Sequence, residues 1–310
     1  MQDGHEDGRD SSRLSRRMVL QATSGAVALS AVGSARASEG EGEARGARID
    51  RRCPEATIEP SHGHCAGASL EGCADDHPVT IDLQEAVAET LSGRYPDVGS
   101  LLDDDYKPYF DTLAGDGGYS HWLSPEHIGD GTLLDPDRPE SVLVDNESWR
   151  PIGVMFVATV DGDPVSPPPV VYDATADVTY EDGVSPAVPE SETGDDGESP
   201  DRCSPWHYHA GLPSRFAWWY YRKVYEGDYE DGAVQLPCRT PCLLHVWTVD
   251  HPESVYAHDA PPPEYRDRDP ADEASFETDA DPGEDVLGWD VLPDEATPDL
   301  LPGEFSVLGP

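Results

Sequence analysis

Three stretches of this chain carry imidazoles where a surface histidine has little reason to be. His207-Tyr208-His209 is an H-x-H pair. On an extended segment alternate side chains share a face, so both rings can reach one ion. His245 sits at the centre of Leu243-Leu244-His245-Val246-Trp247, and as part of a strand it shares a face with Leu243 and Trp247. His121 stands beside Trp122 after a glycine-rich turn, and Glu140, just ahead of an apolar run, can add a carboxylate. Three or four histidines with one carboxylate suit zinc, copper or iron. The expected site is a mononuclear transition-metal centre made of His121, Glu140, His207, His209 and His245. Each of these residues also has a plain structural role open to it. A strand histidine can hydrogen-bond to backbone, an H-x-H beside Trp206 can be aromatic packing, and Glu140 can pair with Arg138. His127, His251 and His258 lie in polar or proline-flanked loops and read as solvated. G-x-S-x-G, H-E-x-x-H, P-loop and G-x-G-x-x-G motifs are all missing, so the sequence assigns no catalytic residue and no organic cofactor.

The six cysteines are Cys53, Cys65, Cys73, Cys203, Cys238 and Cys242. An even count in an exported chain points to disulfides, with fifteen possible connectivities. Cys65 with Cys73, and Cys238 with Cys242, could close local loops; sequence does not place the partners of Cys53 and Cys203. The competing reading is a zinc site drawn from Cys53, His62, His64, Cys65, Cys73 and His77, but that spacing fits no standard finger.

The elements that must hold these residues follow from periodicity. Asp82 can cap a helix, with Glu85 three residues on as in a capping box. Leu83, Ala86, Val87, Thr90 and Leu91 then form one apolar stripe that Gly93 ends. A second short helix is expected between Asp97 and Asp105. From about residue 119 the pattern changes to strands, at 141–145, 152–160, 170–172 and 242–249, with Trp149-Arg150-Pro151 supporting a hairpin. Residues 215–225 suit a helix capped by Ser214 or an aromatic strand. The predicted fold is α+β, with short N-terminal helices beside a mainly antiparallel β-sandwich or open barrel and disordered acidic ends. The core domain spans 78–258 and contains a mobile acidic insertion at 174–202. It lies between a flexible Cys/His-rich linker at 38–77 and an acidic, Pro-rich tail at 259–310, in which 286–289 has the apolar residues to dock.

Composition restricts the partners. With 63 Asp+Glu against 20 Lys+Arg the formal net charge is −43, which excludes nucleic-acid binding through phosphate neutralisation and disfavours anionic lipid. Only two lysines occur, Lys107 and Lys223. The spread of acids resembles proteins of extremely halophilic archaea, where molar salt shrinks the Debye length to about 3 Å and screens the repulsion. Residues 1–37 read as a twin-arginine signal peptide. Arg16 and Arg17 precede a weakly apolar run from Met18 to Val32, and Ala35-Arg36-Ala37 offers small residues to a signal peptidase. The run is too short and polar to anchor in a bilayer. The chain is therefore expected to meet the twin-arginine export machinery, to be secreted, and to make no stable membrane insertion.

The order of motifs carries a resemblance. Ala86, Thr90 and Tyr95-x-Asp97 come first, then Tyr106-Lys107-Pro108, His121-Trp122, Leu134-Asp135 and Arg138-Pro139-Glu140-Ser141-Val142-Leu143-Val144. Ile152-Gly153-Val154-Met155-Phe156, Trp206-His207-Tyr208-His209 and Leu244-His245-Val246-Trp247 follow. Over roughly 80–258 this resembles a family of exported, functionally uncharacterised bacterial and archaeal proteins. Its members tend to carry one histidine after a glycine turn, an "rPE-lvy" strand and a late "LHvW" strand. Asp250-His251-Pro252-Glu253 departs from the family's usual turn. The resemblance supports grouping the five candidate ligands and brings no activity. The ingredients are also similar to those of cupins, although the order His, Glu, H-x-H, His is not theirs. Two functional classes follow: an exported halophilic protein for metal binding or metal-dependent chemistry, or a non-catalytic extracellular interaction module with buried structural histidines.

Overall fold

The computed structural model describes residues 53–109, 113, 117–173, 202–225 and 236–298. The expected signal peptide 1–37, residues 38–52, residues 174–201 of the expected insertion and the last twelve residues lie outside them. The fold is α+β and sandwich-like, a seven-stranded antiparallel sheet with packed layers on both faces.

In chain order the main sheet uses β1 (His62–His64), β2 (Lys107–Pro108), β3 (Tyr119–Leu123), β4 (Ser141–Asp145) and β5 (Pro151–Val157). Two small ribbons follow, β6 (Thr159–Val160) with β7 (Asp163–Pro164) and β8 (Tyr172–Asp173) with β9 (Arg202–Cys203). The sheet is completed by β10 (His207–His209) and β11 (Leu243–Trp247), giving the order β1-β10-β11-β5-β4-β3-β2. The central β4–β5 hairpin confirms the turn expected at Trp149-Arg150-Pro151.

Helix α1 (Pro78–Gly93) ends at the glycine that sequence marks, but it begins four residues before Asp82. Pro78 is preorganised for a first turn, and His77 Nδ1 accepts the Val79 N–H at 3.2 Å, so the cap is a histidine rather than Asp82. Leu83, Val87, Thr90 and Leu91 are its buried stripe, with Thr80 added one turn earlier. Helix α2 (Val98–Asp103) is capped by Asp97 with a reciprocal Ser100 contact. A single turn, α3 (Pro125–Ile128), follows β3. The ambiguous aromatic segment is helix α4 (Leu212–Val224), with Gly211 at the cap and Ser214 inside the first turn. Its buried Trp218 and Tyr221 stand three residues apart, on neighbouring positions of one helix face.

The alternation of each strand sorts the core into two layers. Trp122, Val142, Val144, Val154, Phe156, Leu244 and Val246 pack with Leu83, Val87 and Leu91 of α1. Leu123, Leu143, Met155, Val157, Leu243 and Trp247 pack with Trp218 and Tyr221 of α4 on the opposite face. Gly153 is required where β5 meets β11: a Cβ there would lie 2.6 Å from the Val246 carbonyl and 3.1 Å from the Trp247 ring.

One expectation about the ends is corrected and a second is narrowed. Residues 53–77 are no free linker: β1 is an edge strand, and three disulfides tie this segment to the sheet. The pairs are Cys53–Cys238, Cys65–Cys242 and Cys73–Cys203, separated by 185, 177 and 130 residues. The local pairings Cys65/Cys73 and Cys238/Cys242 are therefore wrong, because strand pairing brings distant cysteines together. With every described cysteine oxidised, the Cys/His zinc alternative has no thiolate to use. The acidic tail, expected to be disordered or loosely laid on the surface, takes the second course over 259–298, laid on the core despite having almost no regular structure. Arginines satisfy its carbonyls, as where Arg150 reaches Asp269 and Pro270. In return Trp149 Nε1 donates to the Asp285 carbonyl at 2.9 Å, and Leu287 is 1% exposed.

Candidate metal centre

Register explains how the histidines meet. β1 and β10 pair His62 with His209 and His64 with His207, and residues directly opposite in an antiparallel pair project to the same face. Two H-x-H strands thus lie side by side. Gly63 sits opposite Tyr208, where a Cβ would meet the tyrosine ring at 2.9 Å, so the glycine leaves room for that ring to lie across β1. His207 also pairs with Leu243 on β11, and His245 stands two residues further along the same face.

His121 arrives from β3, three inter-strand gaps of about 4.8 Å from β11, yet its ring lies 5.7 Å from that of His245. Such convergence requires the sheet to curl toward this face. The irregular β4–β5 register at Leu143/Val144 is the kind of bulge that bends a sheet. The other rings are close as well: His207–His209 at 5.3 Å and His207–His245 at 5.2 Å. The structure therefore brings His121, His207, His209 and His245 together.

Glu140 does not join them. It has the strand parity of Val142 and Val144, on the face covered by α1, and its Oε2 accepts the Val157 N–H at 3.2 Å. Burial raises its pKa well above the ordinary carboxylate value.

The tightest group includes a residue that sequence reads as solvated. Ring nitrogens of His207, His209 and His258 all lie within 4.8 Å of one another. Two nitrogens on one tetrahedral ion at 2.0–2.1 Å are about 3.4 Å apart, so binding asks only a small inward shift of each ring. His258 follows β11 by a loop, and its ring stands 4.7 Å from His207 and 5.1 Å from His209. The exposed His62 stacks on it at 4.2 Å. The signal for His258 was its spacing from the last strand, Val255-Tyr256-Ala257-His258. Ala257 and Val255 are buried, so the loop folds back over the sheet. His127 is also buried, with its Nδ1 at 3.0 Å from the Pro139 carbonyl and 3.1 Å from the Tyr106 hydroxyl. His251 is half-buried, with its Nε2 at 3.1 Å from the Asp259 carbonyl and its ring stacked on Trp247.

The orientation of two of these rings suits a ligand. His258 Nδ1 bonds to Asp259 Oδ1 at 2.8 Å, leaving Nε2 buried without a partner. The Pro205 carbonyl accepts a hydrogen bond from the His207 ring, whose Nε2 is likewise buried and unpaired. Metal-ligating histidines characteristically donate their second N–H to a carboxylate or carbonyl in this way. All the rings are held neutral. Burial, and then His209 and His258, lower His121 to about 3; burial, and then His258 and His62, lower His209 to about 4. Burial first, followed by neighbouring histidines, holds His207 and His245 well below the ordinary value, and burial also lowers His258. A neutral imidazole is the form that coordinates a metal.

Beside the triad a cleft of about 130 Å³ is lined by His121, His209, His245 and His258 together with aromatic and apolar side chains. A three-histidine set next to open space is the arrangement of a site that keeps one coordination position for water or another ligand. The chain matches no family model, no curated protein and no solved structure.

Proposed function

We propose that this protein is an exported, salt-adapted metal protein in which His207, His209 and His258 hold one transition-metal ion, with the fourth position turned to the cleft. The observation that carries this reading is the anchored pair of rings, each with its second nitrogen on an oxygen and its buried Nε2 unpaired. An all-nitrogen set without a carboxylate suits zinc or copper better than iron, which favours two histidines with one carboxylate. Protein purified in molar salt without a nickel column or chelator is expected to carry close to one equivalent of metal. His207→Ala and His258→Ala should each abolish binding, and Asp259→Asn should weaken it about 10- to 100-fold. The competing reading is an extracellular interaction module with structural histidines, favoured by the His62–His258 stack. A chain that takes up no zinc, copper or iron after reconstitution decides for it.

Export is supported by the paired arginines and by three disulfides, which persist in oxidising compartments. Among the described residues no helix is long and apolar enough to cross a membrane. Replacing Arg16 and Arg17 with Lys should leave precursor in the cell, and normal secretion of that variant would refute the signal. Salt adaptation predicts loss of the near-UV circular dichroism signal below about molar salt, where the Debye length exceeds 3 Å. An unchanged spectrum in dilute buffer would refute it.

A further inference from the structure

The cleft beside the triad has a size, a wall and a polar end that together select a ligand. Its volume is about 130 Å³. An apolar cavity of about 150 Å³ holds one benzene molecule, whereas sites for drug-sized ligands begin near 300 Å³. There is room for a single six-membered ring. The wall consists of Tyr109, Tyr119 and Trp218 with Leu123, Met155 and Leu243, a surface suited to the face and edge of an aromatic ring.

At the inner end stands His245, 3% exposed, with both ring nitrogens buried and without a hydrogen-bond partner. A neutral imidazole offers one donor and one acceptor, and a hydroxyl can satisfy either. No Lys, Arg, Asp or Glu is among the described residues lining the cleft. An anion would find no cation there and an organic cation no carboxylate, so a charged ligand would be desolvated without compensation. This exclusion is local and survives the molar salt that screens the charge of the whole chain.

We propose that the cleft is a binding site for a small uncharged phenol, its ring against Tyr109, Tyr119 and Trp218 and its hydroxyl on His245. The phenol oxygen then faces His209 and His258. That it also faces an ion rests on the proposed metal reading; occupancy of the cleft does not.

The test uses the full chain in molar salt, zinc-loaded and chelator-treated, with zinc equivalents measured alongside ligand binding by saturation-transfer NMR and calorimetry. Phenol should bind with a Kd on the order of 1 mM or tighter, and benzene and benzoate each at least about tenfold more weakly, the cost of an unpaired buried polar group. Ser214→Trp, at a half-buried lining position of the cleft, should weaken phenol at least about tenfold and leave zinc binding unchanged. Leu243→Phe, which fills the cleft from the strand side, should act in the same direction. Benzoate binding as well as phenol, benzene binding as well as phenol, or phenol affinity unaffected by Ser214→Trp would each overturn the proposal, as would no phenol binding in either form. Phenol bound without any zinc uptake would keep the cleft and reject the metal centre; zinc bound without phenol would do the reverse.

Discussion

The two faces of the sheet come from the same strands and the same alternation, yet they are opposite in physical character. The face under α1 is mainly apolar, with Trp122, Val142, Val144, Val154, Phe156 and Leu244 all 0% exposed, and its buried polar residues Ser120 and Glu140 are hydrogen-bonded. The face under α4 carries Leu123, Leu143, Met155, Val157, Leu243 and Trp247, but sets buried His121, His207 and His245 and half-buried His209 among them. Burying apolar surface favours folding, whereas a buried imidazole nitrogen without a partner costs about 1–3 kcal/mol. One face stabilises the fold and the other draws on that stability. Buried nitrogens without a hydrogen-bond partner on His207, His245 and His258 are a cost that the proposed metal reading would account for.

The largest expected effect is on the apolar face. Phe156→Ala leaves a cavity between β5 and α1 and should cost about 3–5 kcal/mol, read as a lower denaturant midpoint at constant slope in molar salt. A cost below about 1 kcal/mol would mean that this layer is loosely packed and the contrast is false.

Acidification should act on the other face. His121 and His209 have folded-state pKa values lowered to about 3 and about 4, and His207 and His245 are lowered well below the ordinary 6.5. Between those values and about 6.5 the unfolded chain binds more protons than the folded one, so stability falls as pH falls. It should be fully present above 6.5 and decline by up to about 1.4 kcal/mol per pH unit for each histidine that titrates only on unfolding. Buried Glu140, whose pKa is raised, pulls the opposite way because it is most easily buried when protonated. Chemical denaturation of metal-free protein from pH 7 to pH 4 measures the sum. A flat profile in Glu140→Gln, which removes the opposing group, would mean that the rings are solvated and that the histidine face is not a buried one.

How much of this was legible depends on the range of the interaction. Strand periodicity locates β4 and β11 and puts His245 on the face of Leu243 and Trp247, because alternation is a local property of the chain. The H-x-H pair is readable for the same reason. Glu140 shows the limit of proximity in sequence: one residue before a strand, its parity sends it to the wrong face. The disulfides show it again, since their separations of 130 to 185 residues are set by strand order rather than spacing. His258 was missed because a proline-flanked loop looks solvated until the sheet it folds over is known. His62 was visible beside His64, but the segment's lack of periodicity read as a linker rather than an edge strand.

The smallest expected effect is the most discriminating. His245→Leu replaces a buried ring, both of whose nitrogens lack partners, with an apolar side chain of similar volume between Leu243 and Trp247. Removing both the donor and the acceptor takes away a desolvation cost and leaves no orphan on a neighbouring residue, so metal-free protein should gain about 1–2 kcal/mol. A polar-to-apolar change on the α1 face, where buried Ser120 and Glu140 are both hydrogen-bonded, would break a bond that is made. Zinc held by His207, His209 and His258 should be retained at one equivalent, because His245 stands beside the triad rather than in it. Phenol should lose its advantage over benzene, because its hydroxyl has lost its partner. Equilibrium denaturation at pH 7.5, zinc titration and the phenol-to-benzene affinity ratio separate these effects. A destabilised variant that also loses zinc would make His245 a fourth ligand, and the two faces would then differ by an ion rather than by an unpaired ring.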